Sequence, residues 1–287
     1  MYRPISEEPK DTRRKISARD LRERKANGPK ITMTTAYDFT MASLLDEAGV
    51  DVILVGDSLG MIVQGHTNTL SVSISEICYH GRAVARALRR THLVGDLPFM
   101  TFQASPQQAL RNAGKLLKRG GFESVKLEGG AHLAEHVYQL VRAGIPVMAH
   151  VGLTPQAIHT LGGFKVQGRT PDDAQRIIED AKALADAGAY AIVIEAMPPD
   201  MAALVTRAVS VPTIGIGAGR GCDGQVLVCT DLLGLSRGHV PKFAKRYASL
   251  GDHTIDAVRQ YIDEVRSGAF PDSAHEYKAV TSVARTP

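Results

Sequence analysis

Seven side chains carry most of the chemistry this sequence offers, and they recur with a rhythm. Asp57 and Ser58 follow the apolar run "VILVG", residues 52–56. Asp96 stands in "VGDLPF", Lys126 and Glu128 in "VKLEGG", His150 in "MAHVG" and Glu195 in "IVIEA". Each comes at the end of a short apolar run of the kind that fills a buried strand. Two or three carboxylates with oxygen ligands favour a hard divalent ion, most naturally Mg2+. No Cys/His set has the spacing of a structural zinc site. A lysine near such an ion suits an anionic substrate such as a carboxylate, and a carboxylate apart from the ion can serve as general base. Together they make an enolisation site for a 2-oxo acid. The ion and the lysine stabilise the developing enolate while the base removes the proton next to the ketone.

Singly, these residues have plainer explanations. Asp57 before Ser58 reads as a turn or helix cap, and Asp96 before Leu97-Pro98 as a turn residue. Lys126 and Glu128 can form a structural ion pair, although burying one is expensive. His150 alone reads as a satisfied core histidine. Glu195 is hard to explain as packing, because an unpaired buried charge costs on the order of several kcal/mol. The set outweighs its members, since five successive strands each deliver an ionisable group to the same end. Phase adds to this: Lys126 shares a face with Glu128, Met148 with His150, and Asp57 with Ile53 and Val55 on a period of two.

The elements that must position these groups alternate regularly. Strands are expected at 30–37, 51–56, 92–99, 124–130, 146–152, 189–196 and 212–219, with an eighth inside 224–234. Helices are expected at 39–49, 73–88, 105–121, 132–144, 170–188, 198–209 and 254–268. Such alternation implies βαβ units and a parallel sheet. Eight strands in about 250 residues suit a closed (β/α)8 barrel, whose active sites lie at the C-terminal rim. An open doubly wound sheet is the runner-up, but no early strand–helix junction carries the dinucleotide fingerprint. The late "GIGAGRG" cluster has two readings, a phosphate cradle or a tight rim turn. The expected organisation is a basic head with a short helix at 1–29, the catalytic barrel at 30–270 and a polar tail at 271–287.

Composition limits the function classes. The chain has 287 residues, is 44% hydrophobic and has no Trp. Residues 1–30 hold ten Lys/Arg against five Asp/Glu, whereas the remainder holds 24 against 25. The net charge of +4 therefore belongs to the head, read as a solvated tail leading into its helix, and a nucleic-acid-binding face is not expected. Three cysteines without a C-x-x-C pair point to reduced thiols and a cytoplasmic protein. The N-terminus has no apolar core of a signal peptide, and no run approaches the roughly 20 residues that span a bilayer.

Read in order, "TAYDF", "VGDSLGM", "VQGH", "DLPFM", "VKLEGG", "HVGLTPQ", "GGFKVQGR", "IGIGAG" and "PKFAK" closely resemble the ketopantoate hydroxymethyltransferase family, from about residue 16 to about 276. The resemblance implies a (β/α)8 TIM barrel of the phosphoenolpyruvate/pyruvate type that uses Mg2+. It implies transfer of a one-carbon unit from 5,10-methylenetetrahydrofolate to 3-methyl-2-oxobutanoate, giving 2-dehydropantoate and tetrahydrofolate on the way to pantothenate and coenzyme A. Carried over by motif, Asp57 and Asp96 hold the metal, and Glu128 belongs to its shell directly or through water. Ser58 and Lys126 hold the substrate carboxylate, His150 lines the site near the keto group, and Glu195 accepts the proton. Through the metal, Asp57 and Asp96 also count among the substrate-binding residues. The resemblance further implies a homodecamer of two stacked pentamers. Two competitors remain open. A 2-oxo acid C–C lyase of the same barrel superfamily shares the site logic, but its Cys-containing loop is absent here. A non-catalytic scaffold would not need the full ionisable set.

Overall fold

The computed structural model describes residues 14–238 and 240–278. The first thirteen residues of the head and the last nine of the tail lie outside the described residues. The chain divides into two compact units, Met1–Cys229 and Thr230–Pro287.

The first unit holds the sheet. After α1 (Ala18–Asn27) come β1 (Ile31–Thr35), α2 (Phe39–Glu47), β2 (Val52–Val55), the short α3 (Leu59–Ile62) and α4 (Ile74–Ala87). Then follow β3 (His92–Asp96), α5 (Pro106–Lys115), β4 (Ser124–Glu128), α6 (Ala134–Arg142) and β5 (Val147–Gly152). The series continues with the short α7 (Ile158–Leu161), α8 (Pro171–Asp186), β6 (Ala191–Glu195), α9 (Pro199–Ala208), β7 (Thr213–Ile216) and β8 (Gly224–Leu227). α10 (Cys229–Leu232) straddles the division, and α11 (Leu250–Ser267) belongs to the second unit. The strands close a barrel in sequence order, each neighbour parallel.

Alternation within the strands builds two layers. Val52, Leu54, Val94, Met148, Val193 and Ile214 fill the barrel interior. Ile53, Val55, Leu93, Val125, Leu127 and Ile192 pack outward against the helices. Burial on both faces explains why these strands read as continuous apolar runs. Several helices start where the sequence provides a cap: the side chains of Ser73, Ser105 and Thr170 each accept a backbone N–H of the first turn.

The strand–helix rhythm breaks once, in an interval where no helix is expected. No helix stands between β7 and β8; residues 217–223 make that crossover alone. Gly217 and Gly219 take left-handed φ values of 61° and 76°, and a Cβ on Gly219 would lie 2.6 Å from Pro199. The glycine cluster therefore serves a tight turn.

The head contributes more than a solvated tail. α1 begins in a capping box between Ser17 and Asp20 and lies at the N-terminal ends of the strands. Leu21 is fully buried in the interior cluster beside Ile31 and Met33. Arg24 makes a two-pronged contact with Asp51, at 2.8 and 2.9 Å, just before β2. Lys25 reaches Asp223, just before β8, at 2.8 Å. Much of the helix's positive charge is thus spent within the fold. In the second unit, Arg237 pairs with Asp252 at 2.5 Å, and α11 ends on the left-handed Gly268.

Candidate active site

Register decides which site residues become neighbours. Asp96, the last residue of β3, is paired in the sheet with Lys126 of β4. Glu128, the last residue of β4, is paired with His150 of β5. Side chains at paired positions of a parallel sheet point the same way. Lys126 Nζ accordingly lies 2.7 Å from Asp96 Oδ1. His150 lies between two carboxylates, with Nδ1 3.4 Å from Glu128 Oε2 and Nε2 3.3 Å from Glu195 Oε2. These are ion-pair distances, and neither ring nitrogen has the alignment of a hydrogen bond.

Glu195 is paired in the sheet with Gly152, which has no side chain to fill the space beside it. Its backbone is held closely: Leu153 N–H donates to Glu195 O at 2.9 Å, and Ala196 N–H donates to Ile216 O at 2.8 Å. Ala196 takes φ +49°, a left-handed conformation costing on the order of 1–3 kcal/mol outside glycine. The chain accepts that strain immediately after the strand that carries Glu195.

Asp57 reaches the site by a different route from the one strand phase gives. Ile53 and Val55 face the helices, so continuing β2 would turn Asp57 outward. The strand stops at Val55, and the turn into α3 redirects the side chain. Asp57 N–H then donates to Asp96 Oδ2 at 3.2 Å. Ser58 makes no helix-cap bond; its hydroxyl lies 2.7 Å from Tyr37 OH. Contacts thus join six of the seven predicted residues into one polar network at the C-terminal rim, and Ser58, next to Asp57 in the chain, pairs with Tyr37 beside it. Gln103 and Gln156 enter the network and Tyr37 adjoins it through Ser58, three residues that a search for charged strand ends passes over. Tyr37 and Gln156 lie within the quoted motifs "TAYDF" and "HVGLTPQ", but neither is charged.

The electrostatics are crowded. Asp57, Asp96 and Glu128 are buried together. Burial pushes Asp57 well above the usual carboxylate range, and the charges of Asp96 and Glu128 push it further. Asp96 is also raised by burial, which outweighs the pull of Lys126. Lys126 goes up despite burial, because Asp96, Glu128 and Asp57 surround it. His150 rises to about 9, burial being outweighed by Glu128 and Glu195. A divalent cation among these oxygens would relieve the repulsion, and the donors are hard, as such an ion requires. Among the described residues, no three His, Cys, Asp or Glu side chains form a self-contained metal cage. Mg2+ does not need one: it is usually held by one or two carboxylates and completed by water and substrate. The donor set fits such an ion.

A protein-family model described as ketopantoate hydroxymethyltransferase matches residues 15–273. The chain belongs to this family. The 3-methyl-2-oxobutanoate hydroxymethyltransferase of Syntrophus aciditrophicus (strain SB) is 52% identical over 264 residues, covering 92% of this chain and 97% of its own. The enzyme of the same name from Oleidesulfovibrio alaskensis (strain ATCC BAA-1058 / DSM 17464 / G20) is 54% identical, covering 92% and 91%. The chain is accordingly an enzyme, a hydroxymethyltransferase of pantothenate biosynthesis. The fold is shared more widely. The structure of phosphonopyruvate hydrolase with oxalate and Mg2+ superposes with a TM-score of 0.60 at 15% identity, covering 91% of this chain and 93% of that one. 2,3-Dimethylmalate lyase, a member of the PEP mutase/isocitrate lyase superfamily, gives 0.56 at 16% identity, covering 91% of both chains. The ketopantoate hydroxymethyltransferase family thus shares its barrel fold with enzymes of other names.

Proposed function

We propose that the enzyme moves a one-carbon unit from 5,10-methylenetetrahydrofolate to C3 of 3-methyl-2-oxobutanoate, giving 2-dehydropantoate and tetrahydrofolate, with Mg2+ in the site. Asp57 and Asp96 would hold the ion, with Glu128 in its shell directly or through water. When bound, the ion supplies positive charge against the oxygens of the 2-oxo acid as negative charge develops there. Lys126, kept charged by its carboxylate neighbours, offers an ammonium to the substrate carboxylate, and Ser58, held by Tyr37, offers its hydroxyl. His150 lines the site near the keto group, with Glu195 beside it. Glu195 takes the C3 proton; the carbon so freed attacks the methylene carbon of the folate as one of its C–N bonds opens, and water supplies the hydroxyl as the remaining C–N bond breaks and tetrahydrofolate leaves. Residues 30–270 form the catalytic part on this reading.

One observation carries the assignment of the base. Glu195 stands apart from the carboxylate trio, and its side chain meets His150 at 3.3 Å. A carboxylate clear of the ion remains free to take a proton. Glu195→Gln should abolish exchange of the substrate's C3 proton with solvent deuterium, followed by NMR, while metal and 2-oxo acid still bind. Normal exchange in that variant would remove Glu195 from the role.

A further inference from the structure

We infer that Gln156 is the positioning residue of this site, fixing which oxygens Asp57 and Glu128 leave free. The inference rests on the reading above, in which these carboxylates face a divalent cation. Gln156 sits in the single turn Pro155–Ala157 after β5 and is only 6% exposed. Its side-chain Nε2 donates to Asp57 Oδ2 at 2.9 Å and to Leu97 O at 3.0 Å. Its Oε1 accepts from Gln103 Nε2 at 2.9 Å. Its backbone N–H donates to Glu128 Oε1 at 2.7 Å. One residue therefore ties together the chain just beyond β2 and β3 and the last residue of β4.

The amide has one workable orientation. Rotated by half a turn, Oε1 would face a carboxylate and a carbonyl, both acceptors, and Nε2 would meet the Gln103 amide nitrogen. Gln103 thus acts as a latch on the direction of Gln156. The consequence falls on the carboxylates. Asp57 has Oδ2 engaged, so Oδ1 is the oxygen it can turn to a cation. Glu128 has Oε1 engaged, and its Oε2 is the oxygen beside His150. A glutamine suits this task better than a lysine. It restrains a carboxylate with a neutral donor, so the negative charge that attracts a cation is undiminished. Groups that orient metal ligands without touching the metal typically change affinity by about 10–100-fold when removed.

The test is Mn2+ binding to the full-length enzyme without substrates, followed by electron paramagnetic resonance, with a thermal melt of every variant. Gln156→Leu should weaken Mn2+ by about 10–100-fold in a protein that still melts cooperatively. Gln103→Leu should weaken it less, in the same direction. Asp57→Ala is the control on the underlying reading and should weaken it most. Wild-type affinity in folded Gln156→Leu, with Asp57→Ala impaired, overturns the positioning role alone. Wild-type affinity in Asp57→Ala overturns the cation reading and this inference with it. Should Gln156→Leu fail to fold, Gln103→Leu decides: a folded variant with unchanged affinity overturns the inference, and a weakened one supports it.

Discussion

At Gly152 the chain passes so close to β6 that a Cβ would lie 2.4 Å from the Glu195 carbonyl oxygen, and the backbone there takes φ +92°. Gly152→Ala would have to displace β5 or β6 just where His150 meets Glu195. A shift of about 1 Å in a reacting group can cost about 100-fold, so C3 proton exchange should fall by about that factor. The melting temperature should also drop, reflecting about 1–3 kcal/mol of backbone strain. Steady-state kinetics with a thermal melt check both; wild-type exchange would mean that the close approach does not position the base. Residues of this kind mark the limit of what the sequence makes legible. Lys126, Glu128, His150 and Glu195 could be found because a charge at the end of an apolar run is costly unless it is used. Asp57 was found with a faulty phase, since where the strand stops is a property of the folded turn. Gln156 gave no signal of its own, because a neutral amide in a loop costs little in an unfolded chain and gains its meaning only from four partners.

Among the elements, α1 and the connection into β3 carry the clearest energetic consequences. Leu21 fills the base of the barrel interior, so Leu21→Ala should cost about 2–5 kcal/mol. Chemical denaturation measures it, and kcat at moderate temperature should stay near wild type, because the site lies at the opposite end of the strands. At the same end, the Asp46 carboxylate of α2 accepts backbone N–H groups from Arg89, Arg90 and Thr91 at 3.1, 3.1 and 2.8 Å. Burial alone would raise this acid, but the bonds from Thr91, Arg89 and Arg90 hold it below its usual range. Such a group stabilises the fold above the ordinary aspartate pKa of about 3.9 and loses that contribution as pH falls through the lower folded value. Asp46→Asn should therefore be less stable near neutrality and show a flatter loss of stability on the acid side, read from melting temperatures across pH. An unchanged acid slope would mean that Asp46 is not the group responsible.

On the scale of the molecule, the alternation of buried strands and amphipathic helices was enough to give the barrel, because parallel strands covered on both faces must read as apolar runs. The direct passage from β7 to β8 was legible in the short glycine-rich interval there, which is too brief to hold a helix. The docking of α1 was not legible, since a helix rich in arginine and lysine looks solvated until Asp51 and Asp223 are seen beneath it. α11 presents Val258, Tyr261, Ile262 and Val265 as an exposed apolar row. Patches of that kind commonly mark contact surfaces. The family resemblance implies a homodecamer. Sedimentation velocity should find a particle of about ten chains, and a monomer would set that assembly aside. The clasp at the base bears on how the chain is made. Lys25 and Asp223 are 198 residues apart, and β1 pairs with β8. A ribosome delivers the helix and β1 early and their last partners late, so a nascent chain carries an unpaired β1 edge through most of its synthesis. Long-range pairings of this kind close slowly and expose strand edges to other chains. The same contacts that seal the finished barrel therefore make its final stretch of translation the interval in which aggregation and ring closure compete.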